Sequence, residues 1–223
     1  MIDQQPFFSS WSGGKDSTLA FFKACQQGGH PVKLVTMFEE NEERSRSHAL
    51  PIEVLEAQAE AIGVPLIIKG ASWDQYENAF LEVLQGLKRE GITHGVFGDI
   101  DLEPHLEWVE TTCSKVAITP YHPLWKMERR AVLDELLLHG FECVIIVVKD
   151  EKLPQSFLGK TLSKKVIEEI EQFDIDACGE EGEFHTVVVN GPNFSKRIPL
   201  HFEGIHAESG YSFLKVKLNE DEK

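Results

Sequence analysis

Ten residues near the N-terminus constrain this chain more than its composition does. Ser9-Ser10-Trp11-Ser12-Gly13-Gly14-Lys15-Asp16-Ser17-Thr18 lie between the apolar pair Phe7-Phe8 and the helical stretch Leu19-Ala20-Phe21-Phe22. Two adjacent glycines let the backbone turn sharply and come close to a ligand. The helix that follows offers unpaired N–H groups and the positive end of its dipole to an anion. Lys15 adds a point charge, and Ser12, Ser17 and Thr18 add hydroxyl donors. The segment reads as a phosphate cradle. It is not a Walker A loop, because Ser9 stands where that loop needs its first glycine.

The first 150 residues alternate apolar runs with amphipathic stretches. Strands are expected at Pro6–Trp11, Lys33–Phe38, Pro65–Lys69, His94–Phe97 and Glu142–Val148, the last reading as buried on both faces. Helices are expected at Ser17–Gln27, Ile52–Ile62, Trp73–Glu90, Glu103–Lys115 and Glu128–His139, with Gly63, Gly91 and Gly140 in helix-ending positions. Such alternation implies an α/β fold, a parallel sheet covered on both faces, with ligands beyond the carboxyl ends of its strands. The cradle after the first strand lies at that edge. From residue 151 onward the pattern changes to short helices at Ser156–Lys160 and Ser163–Glu171. A β-type tail follows at Phe184–Asn190, Ile198–Glu203 and Ser212–Lys217. The expected division is therefore a nucleotide-binding domain over 1–150 and a small α+β subdomain over 151–223, with Asn219–Lys223 frayed.

The charge balance, 22 − 37 = −15, argues against nucleic acid or an anionic membrane as the main partner. A phosphate ligand is also anionic, so its site must be locally positive through backbone N–H groups, Lys15 and Mg²⁺. No signal peptide or membrane-length apolar run is legible, which points to the cytoplasm. Cys25, Cys113, Cys143 and Cys178 are widely spaced, which suits buried thiols better than a zinc site or a redox pair. The acidic run Glu39–Glu43, with Arg44-Ser45-Arg46 after it, reads as a solvated loop, and its place after the second strand also permits a flap role beside the phosphate cradle.

Three further clusters carry polar chemistry. Gly98-Asp99-Ile100-Asp101 follows the fourth strand, so its carboxylates suit either a helix cap or a hold on Mg²⁺ or an amine; the position favours function for Asp99. His105, beside Glu103 and Pro104, is a secondary candidate. Tyr121-His122-Pro123-Leu124-Trp125 is a rigid aromatic segment that either packs in the core or walls a pocket. Arg129 and Arg130 read first as an exposed helix face, with either of them facing a phosphate or carboxylate as the alternative. In Ala177-Cys178-Gly179-Glu180-Glu181-Gly182-Glu183-Phe184-His185-Thr186, two glycines bracket adjacent acids, as in a tight loop that presents them. Glu180 and Glu183 are the candidate acids there and His185 a candidate proton carrier; taken alone, the segment reads rather as a polar β-turn leading into Phe184–Asn190.

Ser12–Ser17 resembles the PP-loop of ATP pyrophosphatases, which cleave ATP between the α and β phosphates. Over nearly the whole chain the blocks resemble the diphthine–ammonia ligase family. They comprise that loop, Leu55–Leu66, Gly98-Asp99-Ile100, Pro123-Leu124-Trp125, Leu158–Leu162, and Cys178-Gly179-Glu180 to Gly182-Glu183-Phe184. The last block is close to the family's Cys-Gly-Glu-Gly-Gly-Glu-Tyr-Glu-Thr signature. The resemblance implies the adenine-nucleotide α-hydrolase fold, a Rossmann-like sheet with an added C-terminal region. It also implies an activity that uses ATP and ammonium to turn a carboxylate into an amide, releasing AMP and pyrophosphate.

Carried over, Ser12, Gly13, Gly14, Lys15, Asp16, Ser17 and Thr18 would bind ATP, and Asp16 would hold Mg²⁺. Lys15, Asp99, Glu180, Glu183 and His185 would be catalytic. Three positions depart from the signature: Glu181 stands for glycine, Phe184 for tyrosine and His185 for glutamate. With Asp101-Leu102-Glu103-Pro104-His105 after the aspartate, the chain looks like the family's bacterial branch. Bacterial elongation factor lacks diphthamide, so in a bacterium the carboxylate would be a different one.

The expected function is an AMP-forming amide ligase with free ammonium as nitrogen source and either protein-borne diphthine or another acyl acceptor as substrate. A homodimer is compatible with the sequence. The alternatives are a PP-loop pyrophosphatase acting on a different small molecule or on tRNA, and a non-catalytic adenine-nucleotide-binding module.

Overall fold

The computed structural model describes residues 2–40, 45 and 48–219. Most of the acidic 39–46 segment, together with 220–223, therefore lies outside the described residues. The chain divides into two compact units. The first comprises Met1–Ser12, Asp16–Arg46 and Gly63–Met127; the second comprises Gly13–Lys15, Ser47–Ile62 and Glu128–Lys223.

The first unit holds a parallel sheet of β1 (Pro6–Ser10), β2 (His30–Phe38), β3 (Leu66–Gly70), β4 (His94–Val96) and β5 (Thr119–Tyr121) in the order β3-β2-β1-β4-β5. The chain runs outward from β1 to β3 and then returns to the other side of β1. A topological switch point therefore falls between β1 and β4. Helices α1 (Lys15–Gln26), α3 (Tyr76–Arg89) and α4 (Glu103–Ser114) connect these strands, while α2 (Ile52–Ile62) falls in the second unit. This is the expected Rossmann-like α/β class. The sequence pattern misses β5, whose three residues are too few to show a period.

Apolar positions explain these elements. In α3, Ala79, Phe80, Leu84 and Leu87 are buried, Glu77 lies in the first turn, and Lys88 and Arg89 lie in the last, so both ends complement the helix dipole. Phe8 of β1 meets Phe97 edge to face at 5.9 Å, and Phe80 stacks on Trp108 at 5.6 Å. Such pairs add about 0.5–1.5 kcal/mol beyond the area they bury. Gly95 is required beside them, since a Cβ there would come within 2.5 Å of the Phe8 ring.

The second unit is built on an antiparallel sheet of β6 (Glu142–Lys149), β7 (Phe184–Asn190), β8 (Leu200–Glu208) and β9 (Tyr211–Leu218) in the order β7-β6-β9-β8. The sequence pattern puts β6 among the parallel strands, but it pairs antiparallel with β7 and β9. Val144–Val148 is buried throughout, and a central strand of either sheet type gives the same unbroken apolar run. Helices α5 (Arg129–Leu138) and α6 (Lys164–Glu171) complete the unit, the Ser163 hydroxyl capping α6 by accepting the Val166 N–H. Ser156–Lys160, expected as a short helix, forms only a 3-10 turn at Gln155–Phe157. No disulfide joins the four cysteines. Among the described residues, no helix is long and apolar enough to cross a membrane.

Candidate active site

In the first unit, the flanks of the cradle are tied together directly. The Ser12 N–H donates to the Ser17 hydroxyl at 3.3 Å, and the two hydroxyls lie 3.0 Å apart. Thr18 is fully buried at the start of α1, and Asp16 lies in that helix's first turn. Across the switch point, Gly98 packs on the same turn: a Cβ there would stand 2.9 Å from both the Asp16 carbonyl carbon and the Ser17 nitrogen. Asp99 follows. Its Oδ2 is 3.3 Å from Nδ1 of His122, and its Oδ1 is 3.7 Å from Nδ1 of the exposed His105.

In the second unit, β7 grips the glycine turn. The Val188 N–H donates to the Gly13 carbonyl at 2.9 Å, and the Lys15 N–H donates to the Thr186 hydroxyl at 3.2 Å. Buried Gln58 of α2 donates its amide to both the Gly13 and Val188 carbonyls, at 3.0 and 2.7 Å. Gly13 has φ +77, and a Cβ on it would strike Gln58, Leu55 and Leu50 within 2.9 Å. Only glycine meets both conditions.

His48 is the wedge on the other glycine. A Cβ on Gly14 would lie 2.2 Å from its ring. His48 Nδ1 is 2.7 Å from the Thr186 carbonyl oxygen, which only accepts, so Nδ1 carries the hydrogen. Burial pushes the His48 pKa down to about 4; the bond to Thr186 opposes this and the charge of Lys15 adds to it. At neutral pH the ring is therefore uncharged and Nε2 is a bare acceptor. The His185 ring lies 4.9 Å from it, centroid to centroid.

Lys15 is 4% exposed, and its Nζ lies 3.7 Å from a Glu180 carboxylate oxygen. The loop that carries Glu180 is organised by Asp176. One Asp176 oxygen accepts the Cys178 N–H at 2.9 Å, and the other accepts the Glu180 N–H at 3.3 Å. Arg129 donates to the second oxygen at 2.9 Å. Gly179 and Gly182 both adopt positive φ. The Glu183 carboxylate is buried and accepts the Glu181 N–H at 3.0 Å. Each acid that the turn cannot leave in water thus finds a backbone or cationic donor.

Comparison with known proteins follows this geometry closely. Residues 8–120 match the family described as diphthamide synthase N-terminal domain, and residues 128–219 match the diphthamide synthase C-terminal domain. This chain belongs to the diphthamide synthase family. Among curated relatives, the diphthine–ammonia ligase of Danio rerio is 27% identical over 95% of both chains. The human diphthine–ammonia ligase is 26% identical over 92% of this chain and 86% of its own. That of Schizosaccharomyces pombe is 25% identical, and this chain spans 38% of its length. By name these relatives are carbon–nitrogen ligases, in agreement with the enzyme class expected from the sequence.

Within this diphthamide synthase family member, the second unit holds Gly13, Gly14, Lys15, Glu180, Glu183 and His185, with Lys15 and Glu180 paired. The first unit brings together Ser12, Asp16, Ser17, Thr18 and Asp99. Several residues that shape the site were not singled out in the sequence. Gln58 and Thr186 lie inside blocks that carry the family resemblance, which is the signal that could have marked them. His48 had no such signal, since a lone histidine before Pro51 has no spacing to mark it. Asp176 lies just outside the acidic block and reads as one more surface acid. Arg129, expected on an exposed face, is instead part-buried against Asp176.

Proposed function

We propose that this protein is an ATP-dependent, AMP-forming amide ligase that adenylates a carboxylate and amidates it with ammonia; the relatives' names give diphthine and ammonia as the groups they join. The observation that carries this is the Lys15–Glu180 pair. The cation of a phosphate cradle and an acid of the family's signature loop lie 3.7 Å apart in one unit.

In this reading, Gly13, Gly14 and the first turn of α1 present N–H groups to the departing pyrophosphate, with Ser12, Ser17 and Thr18 adding hydroxyls. Lys15 places its charge on the phosphates. Asp16 offers the carboxylate oxygen that Mg²⁺ prefers, and when bound the ion would offset phosphate charge. Glu180 and Glu183 belong to the loop that faces the acyl group or the incoming ammonia. His185 lies beside the uncharged His48 and is placed to carry a proton. Asp99 orients the amine from the far side of the switch point. The acceptor is a carboxylate, either protein-borne diphthine or a different acyl group. The four thiols suit a reducing cytoplasm.

The test is phosphorus NMR of ATP, Mg²⁺ and ammonium with the protein and a diphthine-bearing elongation factor. AMP and pyrophosphate that appear only with the acceptor support both chemistry and substrate. ATP binding without turnover keeps the cradle and removes diphthine as the acceptor.

A further inference from the structure

The loops after β4 and β5 are locked together around a histidine that the proposed chemistry does not use. The Phe97 N–H donates to the Tyr121 carbonyl at 3.0 Å, and the Lys126 N–H donates to the Ile100 carbonyl at 2.7 Å. Between these bonds the His122 ring stacks on Phe97 at 5.4 Å and meets Trp125 edge-on at 6.4 Å. Its side chain is only 8% exposed. Neither ring nitrogen has a well-formed hydrogen bond; the polar group facing the ring is the Asp99 carboxylate, 3.3 Å from Nδ1.

A phenylalanine would fill this aromatic slot without burying two polar nitrogens. The imidazole therefore calls for a reason other than packing, and the carboxylate beside it supplies one. Asp99 directly follows Gly98, whose backbone rests on the first turn of α1, so the orientation of this carboxylate is set next to the cradle. Its two oxygens have different neighbours: Oδ2 faces buried His122, and Oδ1 faces His105, which is 65% exposed and easily displaced.

We infer that His122 is a positioning residue: through Nδ1 it holds one oxygen of Asp99 and leaves the other directed to the incoming ammonium ion. This rests on the ligase reading above. The geometry needs only the Nδ1 position, which sets the test. An asparagine places its amide nitrogen where Nδ1 stands, whereas a glutamine reaches toward the Nε2 position.

Ammonium-dependent AMP formation is measured with ATP, Mg²⁺ and a diphthine-bearing elongation factor. His122→Phe and His122→Gln are expected to lower kcat/KM for ammonium by about tenfold or more, with KM for ATP unchanged. His122→Asn is expected to restore most of that loss, and in an Asp99→Asn background His122→Phe should add nothing. Equal losses in the Asn and Phe variants, additive losses with Asp99→Asn, or a rise in KM for ATP would overturn the inference. A second readout needs no turnover: the ¹⁵N resonance of His122 Nδ1 should shift in Asp99→Asn, and an unmoved resonance overturns the contact. If the wild-type protein forms no AMP with this acceptor, the ligase reading fails there, and the nitrogen resonance alone decides the role of His122.

Discussion

Acidification should unlock the glycine turn through His48, and the size of the effect follows from its surroundings. The ring is buried against Gly14, and its pKa falls from the ordinary 6.5 to about 4. The unfolded chain therefore takes up this proton first as the pH drops. The stability His48 contributes is complete above the unfolded value and is lost as the pH falls through the folded one. The full difference is about 3 kcal/mol, of which somewhat less than half is gone by about pH 5.5. Other groups titrate over the same range, so the informative quantity is a difference between two proteins. His48→Gln keeps a polar wedge of similar size but cannot titrate. Urea unfolding of both proteins at about pH 7.5, 5.5 and 4.5 should show the wild type losing stability relative to the variant by about those amounts. Parallel stability curves would refute the reasoning, and would mean that His48 reaches water.

Lys15→Ala should abolish ATP binding or turnover while circular dichroism stays native, and unchanged turnover would remove Lys15 from the cradle. Glu183→Gln keeps an oxygen for the Glu181 N–H. It should therefore spare ATP affinity and stop product formation, whereas a large loss in an ATP titration would place this loop at the nucleotide. Gly98→Ala drives a Cβ into the backbone of Asp16 and Ser17; it should cost about 1–3 kcal/mol in unfolding experiments and weaken ATP binding.

The alternation of strands and helices was legible because the helices are long enough to show a period and three of them, α2, α3 and α5, are followed by a glycine in the required conformation. Gly63, Gly91 and Gly140 all have positive φ, as their positions after helices demand. Strand pairing was not legible in the same way. Val144–Val148 is equally apolar in a parallel or an antiparallel sheet, and only partners distant in sequence, β7 and β9, settle the type. The site divides along the same line. Ser12–Thr18 and the acids after Cys178 announce themselves by local density of glycine and charge. His48, Gln58 and His122 touch residues 34, 45 and 23 positions away (Gly14, Gly13 and Asp99), so no short window of sequence contains these pairs.

The Lys15–Glu180 pair also bears on how so acidic a protein can receive ATP. With a formal charge of −15, repulsion at a distance opposes a polyphosphate, so the cradle must act at contact range. Within that range, the charge of Lys15 is already matched by Glu180, and both side chains are largely buried. In the proposed reaction, a phosphate that takes Lys15 competes with Glu180 for that charge or brings a cation that the two anions share. In the first case the Lys15–Glu180 contact opens as ATP binds, before adenylation in the proposed sequence. In the second, the metal accompanies ATP rather than waiting in the site. Either way, the two halves of the proposed reaction are coupled through one side chain, because Lys15 cannot answer to phosphate and Glu180 at full strength together.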